Sequence, residues 1–144
     1  SLSTTPEIMF RAALEGTAFA MRHNVLAARE SGIKVELIRS LGGGTKNNLW
    51  NQIKADVLGI PIVTIQESSG AALGCAYLAG HGLGLFKDIY EPLNKNLKVD
   101  QEFIPNSKNQ RIYEEQYEVY RNIYESTKLD FDKLARITEM GSNQ

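Results

Sequence analysis

The chain contains little cysteine, little proline and no surplus of charge of one sign. Its 144 residues include one Cys and four Pro, and 16 Lys and Arg stand against 17 Asp and Glu. A single Cys cannot close an internal disulfide, which argues against a disulfide-stabilised secreted domain and fits a reducing cytosol. The balanced charge argues against nucleic acid and anionic membranes as partners, because both are recognised through a basic excess.

Long hydrophobic runs are also missing. The most apolar stretch, Ala71 to Leu85, is interrupted by glycines and by His81 and is too short to span a bilayer. No signal peptide is recognisable at the start of the chain. The two histidines, His23 and His81, are too few and too far apart to indicate a metal site. What is present, 42% hydrophobic and 23% charged residues, is typical of one globular domain.

Helices and strands are predicted to alternate in the first part of the chain. Thr5 is a typical N-cap before Pro6, and Gly32 is suited to end the helix that starts there. Alternation of this kind predicts an α/β fold, with parallel strands joined by flanking helices. The predicted elements are a helix over Pro6 to Glu30, a strand over Ile33 to Leu41, a helix over Thr45 to Leu58, a strand over Ile62 to Ile65 and a helix over Gly70 to Gly82.

Side chains on the first and third helices carry two further expectations. Apolar positions of the first helix should face inward, and Cys75, in an Ala-rich helix, should behave as a small buried residue. The inward positions are Ile8, Ala12, Phe19, Val25 and Leu26.

The character of the sequence changes after Leu85. An irregular stretch is predicted to contain a short edge strand around Leu97 to Val99, followed by a long helix over Ser107 to Lys128 and a last, partly ordered helix over 130–140. Tyrosines recur on the long helix at spacings of four, three and four, which favours a packing face over a platform for stacking bases. They are Tyr113, Tyr117, Tyr120 and Tyr124.

Two strands are too few for a stable α/β sheet. We therefore expect the remaining strands to precede residue 1, so that this chain is part of a longer protein. Surfaces that the missing part would cover should then be exposed and favour a homodimer or other self-association.

A glycine-rich segment joins the first predicted strand to the second helix. It reads Gly42-Gly43-Gly44-Thr45-Lys46 and is called the Gly turn below. Residues without Cβ allow a ligand to approach the main chain, and a helix N-terminus favours an anion such as a nucleotide phosphate. The spacing matches neither a P-loop nor G-x-G-x-x-G. From these residues alone, the segment is either a nucleotide-binding turn or a tight connection.

Three ordered blocks resemble the FGGY carbohydrate kinases. Residues 11–22 (RAALEGTAFAMR) are similar to a helix of that family, residues 42–61 (GGGTKNNLWNQIKADVLGIP) to its adenosine-binding segment, and residues 70–80 (GAALGCAYLAG) to a later helix. The likeness covers roughly residues 6–86 and continues more loosely to about 127. The stretch over 64–70 and the Tyr-rich tail look most like the xylulokinase branch. Cys75 replaces a usual Ala, and Asn47 replaces a frequent Ser.

The resemblance implies the C-terminal part of a ribonuclease H-like (actin-like ATPase) domain. Residues 1–86 would form the adenosine-binding segment and residues 87–144 a C-terminal tail. The family transfers the γ-phosphate of ATP, with Mg²⁺, to a carbohydrate hydroxyl, so the expected partners are ATP or ADP and a small sugar such as D-xylulose, in the cytoplasm. The alternative is a stand-alone nucleotide-binding or oligomerisation module without kinase activity.

The resemblance also assigns candidate residues. Gly43 would contact the nucleotide through its main chain and Asn47 through its side chain near the adenine, although Asn47 also suits a helix N-cap. Catalytic and metal-binding residues are expected outside this chain, because the phosphate loops and the Asp base of the family have no counterpart here. The remaining candidates are Gly42 and Gly44 for shape, Lys46 for a phosphate or merely for solvent, and Gln52 beside the adenine.

Two side-chain pairs at a spacing of four residues have structural interpretations. Arg11 and Glu15 share a helical face and are expected to form an intrahelical pair or to hold a neighbouring strand. Gln52 and Asp56 also share a face, but Asp56 lies about three turns beyond the Gly turn, which is too far for a general base there.

Overall fold

The computed structural model describes residues 4–66, 70–90, 92–93 and 98–141. Its α/β fold confirms the predicted class. The described elements are α1 (Pro6–Glu30), β1 (Ile38–Ser40), a 3₁₀ turn (Gly43–Lys46), α2 (Asn48–Leu58), β2 (Ile62–Ile65), α3 (Gly70–Gly82), β3 (Val99–Phe103) and α4 (Ser107–Gly141).

The predicted bounds of α1 are confirmed. Thr5 Oγ1 accepts a hydrogen bond from Ile8 N at 3.4 Å, and Gly32 follows the helix with a φ of 83°. The inward orientation is confirmed for Phe19, and Val25 and Leu26 are partly buried against the core. It is wrong for Ile8, which is 52% exposed, and for Ala12, which is also exposed. Only the part of α1 beside α2 and α4 has an apolar surface to pack against, so the first turns lie in solvent.

The sheet is mixed, in the order β1-β2-β3. β1 and β2 are parallel, with Ile38 opposite Ile62, as the alternation of helices and strands predicts. β3 is antiparallel to β2, with Phe103 opposite Ile62. The predicted strand at Leu97 to Val99 is therefore displaced toward the C-terminus, and Leu97, like residues 67–69, lies outside the described residues.

Helix α2 occupies the centre of the molecule. One side packs in a cluster formed with α1 and α4, and the other side packs toward the sheet. The first cluster contains Ala18, Phe19, Ile53, Val57, Tyr113 and Tyr117, and the second contains Ala55, Leu58, Ile60 and Ile62. Because α2 is enclosed on both sides, even its polar residues become buried.

The long C-terminal helix is continuous. The two predicted helices over 107–128 and 130–140 form the single helix α4, since no Gly or Pro interrupts the chain between them. The tyrosine stripe packs as predicted near its start, where Tyr113 and Tyr117 are buried against Phe19, whereas Tyr124 is 57% exposed.

Helix α3 has the predicted bounds but lies at the surface. Cys75 is exposed, which corrects the expectation of a buried thiol. Leu78, on the same helix, is 63% exposed. The side chains of Cys75 and Leu78 thus face solvent where the sequence pattern indicates packing.

Candidate nucleotide-binding turn

The Gly turn follows β1 and lies at the N-terminus of α2. Gly42 has φ 90° and ψ −175°, and residues 43–46 form the 3₁₀ turn. Asn47 is extended, so α2 begins at Asn48 rather than at the predicted Thr45. The helix starts later because the chain closes the tight turn first: Thr45 N donates to Gly42 O at 3.1 Å and Asn47 N to Gly44 O at 3.3 Å.

The three glycines have different structural roles. Gly42 has a left-handed φ, which a residue with a side chain adopts at a cost. A Cβ on Gly44 would overlap the Trp50 ring. A Cβ on Gly43 would meet nothing within 4 Å. A Cβ on Gly42 would likewise meet nothing within 4 Å, so the surroundings of Gly42 and Gly43 are open to a ligand, whereas Gly44 is the glycine that the packing requires.

Asn47 caps α2. Its Oδ1 accepts a hydrogen bond from Trp50 N at 3.0 Å, as the N-cap interpretation predicts. The cap uses the carbonyl end of the side chain, so the Nδ2 donors are the part suited to a ligand.

The other two candidates lie in different surroundings. Lys46 is exposed on the Gly turn itself. Gln52 is directed away from the turn: its Nε2 donates to Asp56 Oδ1 at 2.8 Å and to Ile104 O at 2.9 Å. The structure thus brings Gly42, Gly43, Gly44, Lys46 and Asn47 together in one turn, while the Gln52 amide joins α2 to the end of β3.

Trp50 links the Gly turn to α1 and, through Lys54, to β1, a role that the sequence analysis missed. The ring lies against Gly44, and its Nε1 donates to Thr17 Oγ1 of α1 at 3.2 Å. Lys54 Nζ lies 4.5 Å from the ring centroid and donates to Ser40 Oγ of β1 at 3.1 Å. Most of these contacts depend on tertiary packing and cannot be read from the sequence. The part that the sequence indicates is the pairing of Trp50 with Lys54, which lie four residues apart on one helical face.

Lys54 and Asp56 are buried ionisable residues with different surroundings. Burial lowers the pKa of Lys54, because the charged ammonium loses hydration. Asp56 accepts hydrogen bonds from Asn106 N at 2.8 Å and from Asn109 Nδ2 at 2.7 Å, in addition to the one from Gln52. Its carboxylate therefore joins α2 to the start of α4 and accepts from three donors of the protein, which agrees with a structural role.

The predicted intrahelical pair on α1 is confirmed. Arg11 Nε lies 2.8 Å from Glu15 Oε1, and both side chains also bond the Tyr113 hydroxyl, at 3.0 and 2.8 Å. The hydrogen bond to Glu15 and then that to Tyr113 raise the pKa of Arg11. This cluster joins α1 to α4.

Two kinds of site have no counterpart in the described part of the chain. Residues 4–66, 70–90, 92–93 and 98–141 contain no group of three or more His, Cys, Asp or Glu placed to hold a metal ion. In the same ranges, every helix is too short or too polar to cross a membrane.

Comparisons with known proteins converge on one family. The sequence model of the FGGY family of carbohydrate kinases, C-terminal domain, matches residues 1–83. The xylulose kinase of Staphylococcus epidermidis is 37% identical over 128 residues, which are 89% of this chain and 26% of that protein. The autoinducer-2 kinase of an Enterobacter species is 35% identical over 130 residues, which are 86% of this chain and 24% of that protein.

The fold agrees with the sequence matches. The crystal structure of xylulose kinase from Rhodospirillum rubrum superposes with a TM-score of 0.80 at 27% identity, over 92% of this chain and 27% of that one. The present chain thus spans about a quarter of the length of the relatives that it matches.

Proposed function

Because this chain belongs to the FGGY family of carbohydrate kinases, whose C-terminal domain it matches, we propose that it forms the adenosine-binding wall of an ATP-dependent sugar kinase. The observation that carries the proposal is the open main chain of Gly43 beside the N-terminus of α2. A nucleotide lying there meets backbone groups without a side chain in the way, and the helix terminus favours its negative charge.

Three residues at or beside the Gly turn have an assigned part in this proposal. Gly43 contacts the nucleotide through its main chain, and Asn47 uses its Nδ2 group, since its Oδ1 caps α2. Lys46 is exposed on the same turn and supplies a positive charge for a phosphate. Gln52 is held by Asp56 and Ile104, so we assign it to the joint between α2 and the end of β3 rather than to the adenine.

The chemistry of phosphoryl transfer is left to other parts of the kinase. Transfer requires a base for the acceptor hydroxyl, a metal ion on the phosphates and in-line positioning. Asp56 is buried and bonded to three protein donors, so it is not available as that base. We assign Mg²⁺ to the ATP phosphates and to segments outside this chain. The contribution proposed here is therefore nucleotide positioning.

D-xylulose is the proposed acceptor. Support comes from the relatives named above as xylulose kinases, in sequence and in fold. The sugar contacts themselves are expected outside residues 1–144, so the acceptor requires a direct measurement.

Nucleotide binding to this chain is the first test. We expect calorimetric titration with ADP to show saturable binding by the wild-type chain. Gly43→Val should weaken it by about tenfold or more, because a branched side chain fills the open space at the turn. Gly16→Val is the matched control, since Gly16 on α1 is also open to a Cβ and is not part of the turn. Absence of ADP binding, or equal binding by Gly43→Val, would contradict the proposal.

Kinase activity is tested in a chimera. We expect the chain alone to leave ATP and D-xylulose unconsumed, and we expect activity when it replaces the matching quarter of the Staphylococcus epidermidis xylulose kinase. Gly43→Val in the chimera should raise the KM for ATP and leave the KM for D-xylulose unchanged. A folded chimera that binds ADP without phosphorylating D-xylulose would instead favour a nucleotide-binding module without kinase activity.

A further inference from the structure

Asn51 is a fully buried polar residue directly below the Gly turn. Its exposed fraction is 0%, and its Nδ2 donates to Thr45 O at 2.7 Å. Its Oδ1 is buried and forms no hydrogen bond to any described residue. The side chain thus combines one good hydrogen bond with one unsatisfied acceptor.

Stability alone does not explain an amide at this position. A buried acceptor without a partner costs about 1–3 kcal/mol, whereas one neutral hydrogen bond contributes about 1. An aliphatic residue of similar size would avoid the cost of the unpaired acceptor and would add buried apolar surface. The specific feature that Asn51 provides is the bond to Thr45.

That bond fixes the main chain of the Gly turn. Thr45 closes the turn on Gly42 twice, through N at 3.1 Å and through Oγ1 at 2.7 Å, both to Gly42 O. Gly43 lies between these two residues. A restraint on Thr45 O therefore passes to Gly42 and limits the positions that the Gly43 main chain can take.

The second support of the turn comes from a different direction. Trp50 packs against Gly44 and is held by Thr17 and Lys54, so it limits movement of the turn toward α1. It makes no bond to the turn's main chain among the contacts described. Asn51 is the side chain of α2 that bonds a carbonyl inside the turn.

From these contacts we propose that Asn51 is a positioning residue for the nucleotide: its amide holds the Gly turn in the shape in which Gly43 meets the ligand. The inference rests on the proposed function, because it assigns Asn51 to the same site. Asn51 itself is buried and touches no ligand. It acts through Thr45. Because the turn is already ordered before the nucleotide binds, the entropy cost of binding is smaller.

The test separates stability from positioning with Asn51→Leu. We expect its midpoint of urea unfolding to stay close to that of the wild type, because the lost bond is offset by removal of the unsatisfied oxygen. Affinity for ADP should fall by about tenfold, which corresponds to ~1.4 kcal/mol. The amide hydrogens of Thr45 and Asn47 should exchange faster, while those in the middle of α2 remain protected. Asn51→Ala, whose side chain is smaller than that of Asn and cannot clash, should show the same increase in exchange and the same loss of affinity.

Val57→Ala is the control for an ordinary loss of packing. Val57 is buried on the same helix and belongs to the cluster of α1, α2 and α4. Val57→Ala should lower the midpoint of urea unfolding. It should leave the affinity for ADP and the amide exchange rates of Thr45 and Asn47 unchanged.

The outcomes distinguish this inference from the proposed function. Normal ADP affinity, or unchanged exchange at Thr45 and Asn47, in the two Asn51 variants would overturn the inference while the wild type still binds. Failure of the wild type to bind ADP would overturn the proposed function and the assignment to a nucleotide, and the exchange rates would still decide whether Asn51 holds the turn.

Discussion

Among single residues, Lys54 has the clearest electrostatic consequence. It is 4% exposed, and its side chain contacts the Ser40 hydroxyl and the Trp50 ring. Within the described part of the chain, it forms no ion pair with a carboxylate. Burial lowers its pKa. Between that lowered pKa and the ordinary value of roughly 10.4, the unfolded chain binds more protons than the folded chain, so the free energy of unfolding rises with pH.

We expect Lys54→Met to remove this rise. The variant should be at least as stable as the wild type near neutral pH, since the cost of a buried charge disappears, and its stability should depend less on pH up to about 9.5. Above roughly pH 10, Tyr113 and Tyr117 act in the opposite direction, because burial raises the pKa of each hydroxyl. Urea unfolding at several pH values measures the difference, with exposed Lys34→Met as control. Parallel profiles for the wild type and Lys54→Met would contradict the expectation.

Gly43 and Gly44 form a second residue-scale comparison. Gly44→Ala should destabilise the chain by about 1–3 kcal/mol, because its Cβ overlaps a Trp50 ring that Thr17 and Lys54 hold in place. Gly43→Ala should change stability by no more than about 0.5 kcal/mol, since its surroundings are open. Thermal unfolding of both variants measures this, and equal losses would show that the two glycines are not distinguished by packing.

At the scale of elements, capping residues and short sequence patterns predicted the ends of helices and strands that depend on local chemistry. Thr5 and Gly32 indicated the ends of α1, and the β-branched run predicted β2 at its observed bounds. β1 is shorter than predicted, because only Ile38–Ser40 lie opposite β2 residues. The start of α2 was placed too early, since glycine content alone does not distinguish a 3₁₀ turn from a helical one.

The attachment of α4 depends on a residue that no local pattern identifies. Asp56 bonds Asn106 N and Asn109 Nδ2, at and just after the start of that helix. Asp56→Ala should cost roughly 3 kcal/mol, because it leaves buried donors without their charged acceptor. Asp130→Ala is the control, as Asp130 is exposed and pairs with Lys133 at the surface. Urea unfolding measures both; a loss below about 1 kcal/mol for Asp56→Ala would mean that α4 is held mainly by its tyrosines.

For the whole molecule, the exposed apolar surface remains the main feature to test. Met9 and Phe10 on α1 are 65% and 60% exposed, and β1 lies at an edge of the sheet. Such surfaces favour association, and a specific dimer would bury about 1,200–2,000 Å². Light scattering at ~100 μM, well above a micromolar Kd, should give a mass above that of the monomer. Phe10→Glu should reduce it, and a monomeric mass for the wild type would contradict self-association.

The sequence predicted the fold class and the location of the candidate turn, but not the assembly around them. The orientation of β3 and the burial of Asn51, Lys54 and Asp56 depend on α2 being enclosed on two sides. Helical periodicity reports which residues share a face; it does not report that both faces are covered.

The position of Trp50 gives the chain an optical property. It is the one tryptophan in the sequence, and its indole lies against Gly44 with the Lys54 ammonium above the ring. Fluorescence excited selectively in tryptophan therefore comes from a single side chain, which lies against the Gly turn. A change in the colour or intensity of that emission reports rearrangement around Trp50, at the Gly turn or at its contacts with Thr17 and Lys54, so the sequence already contains its own spectroscopic label.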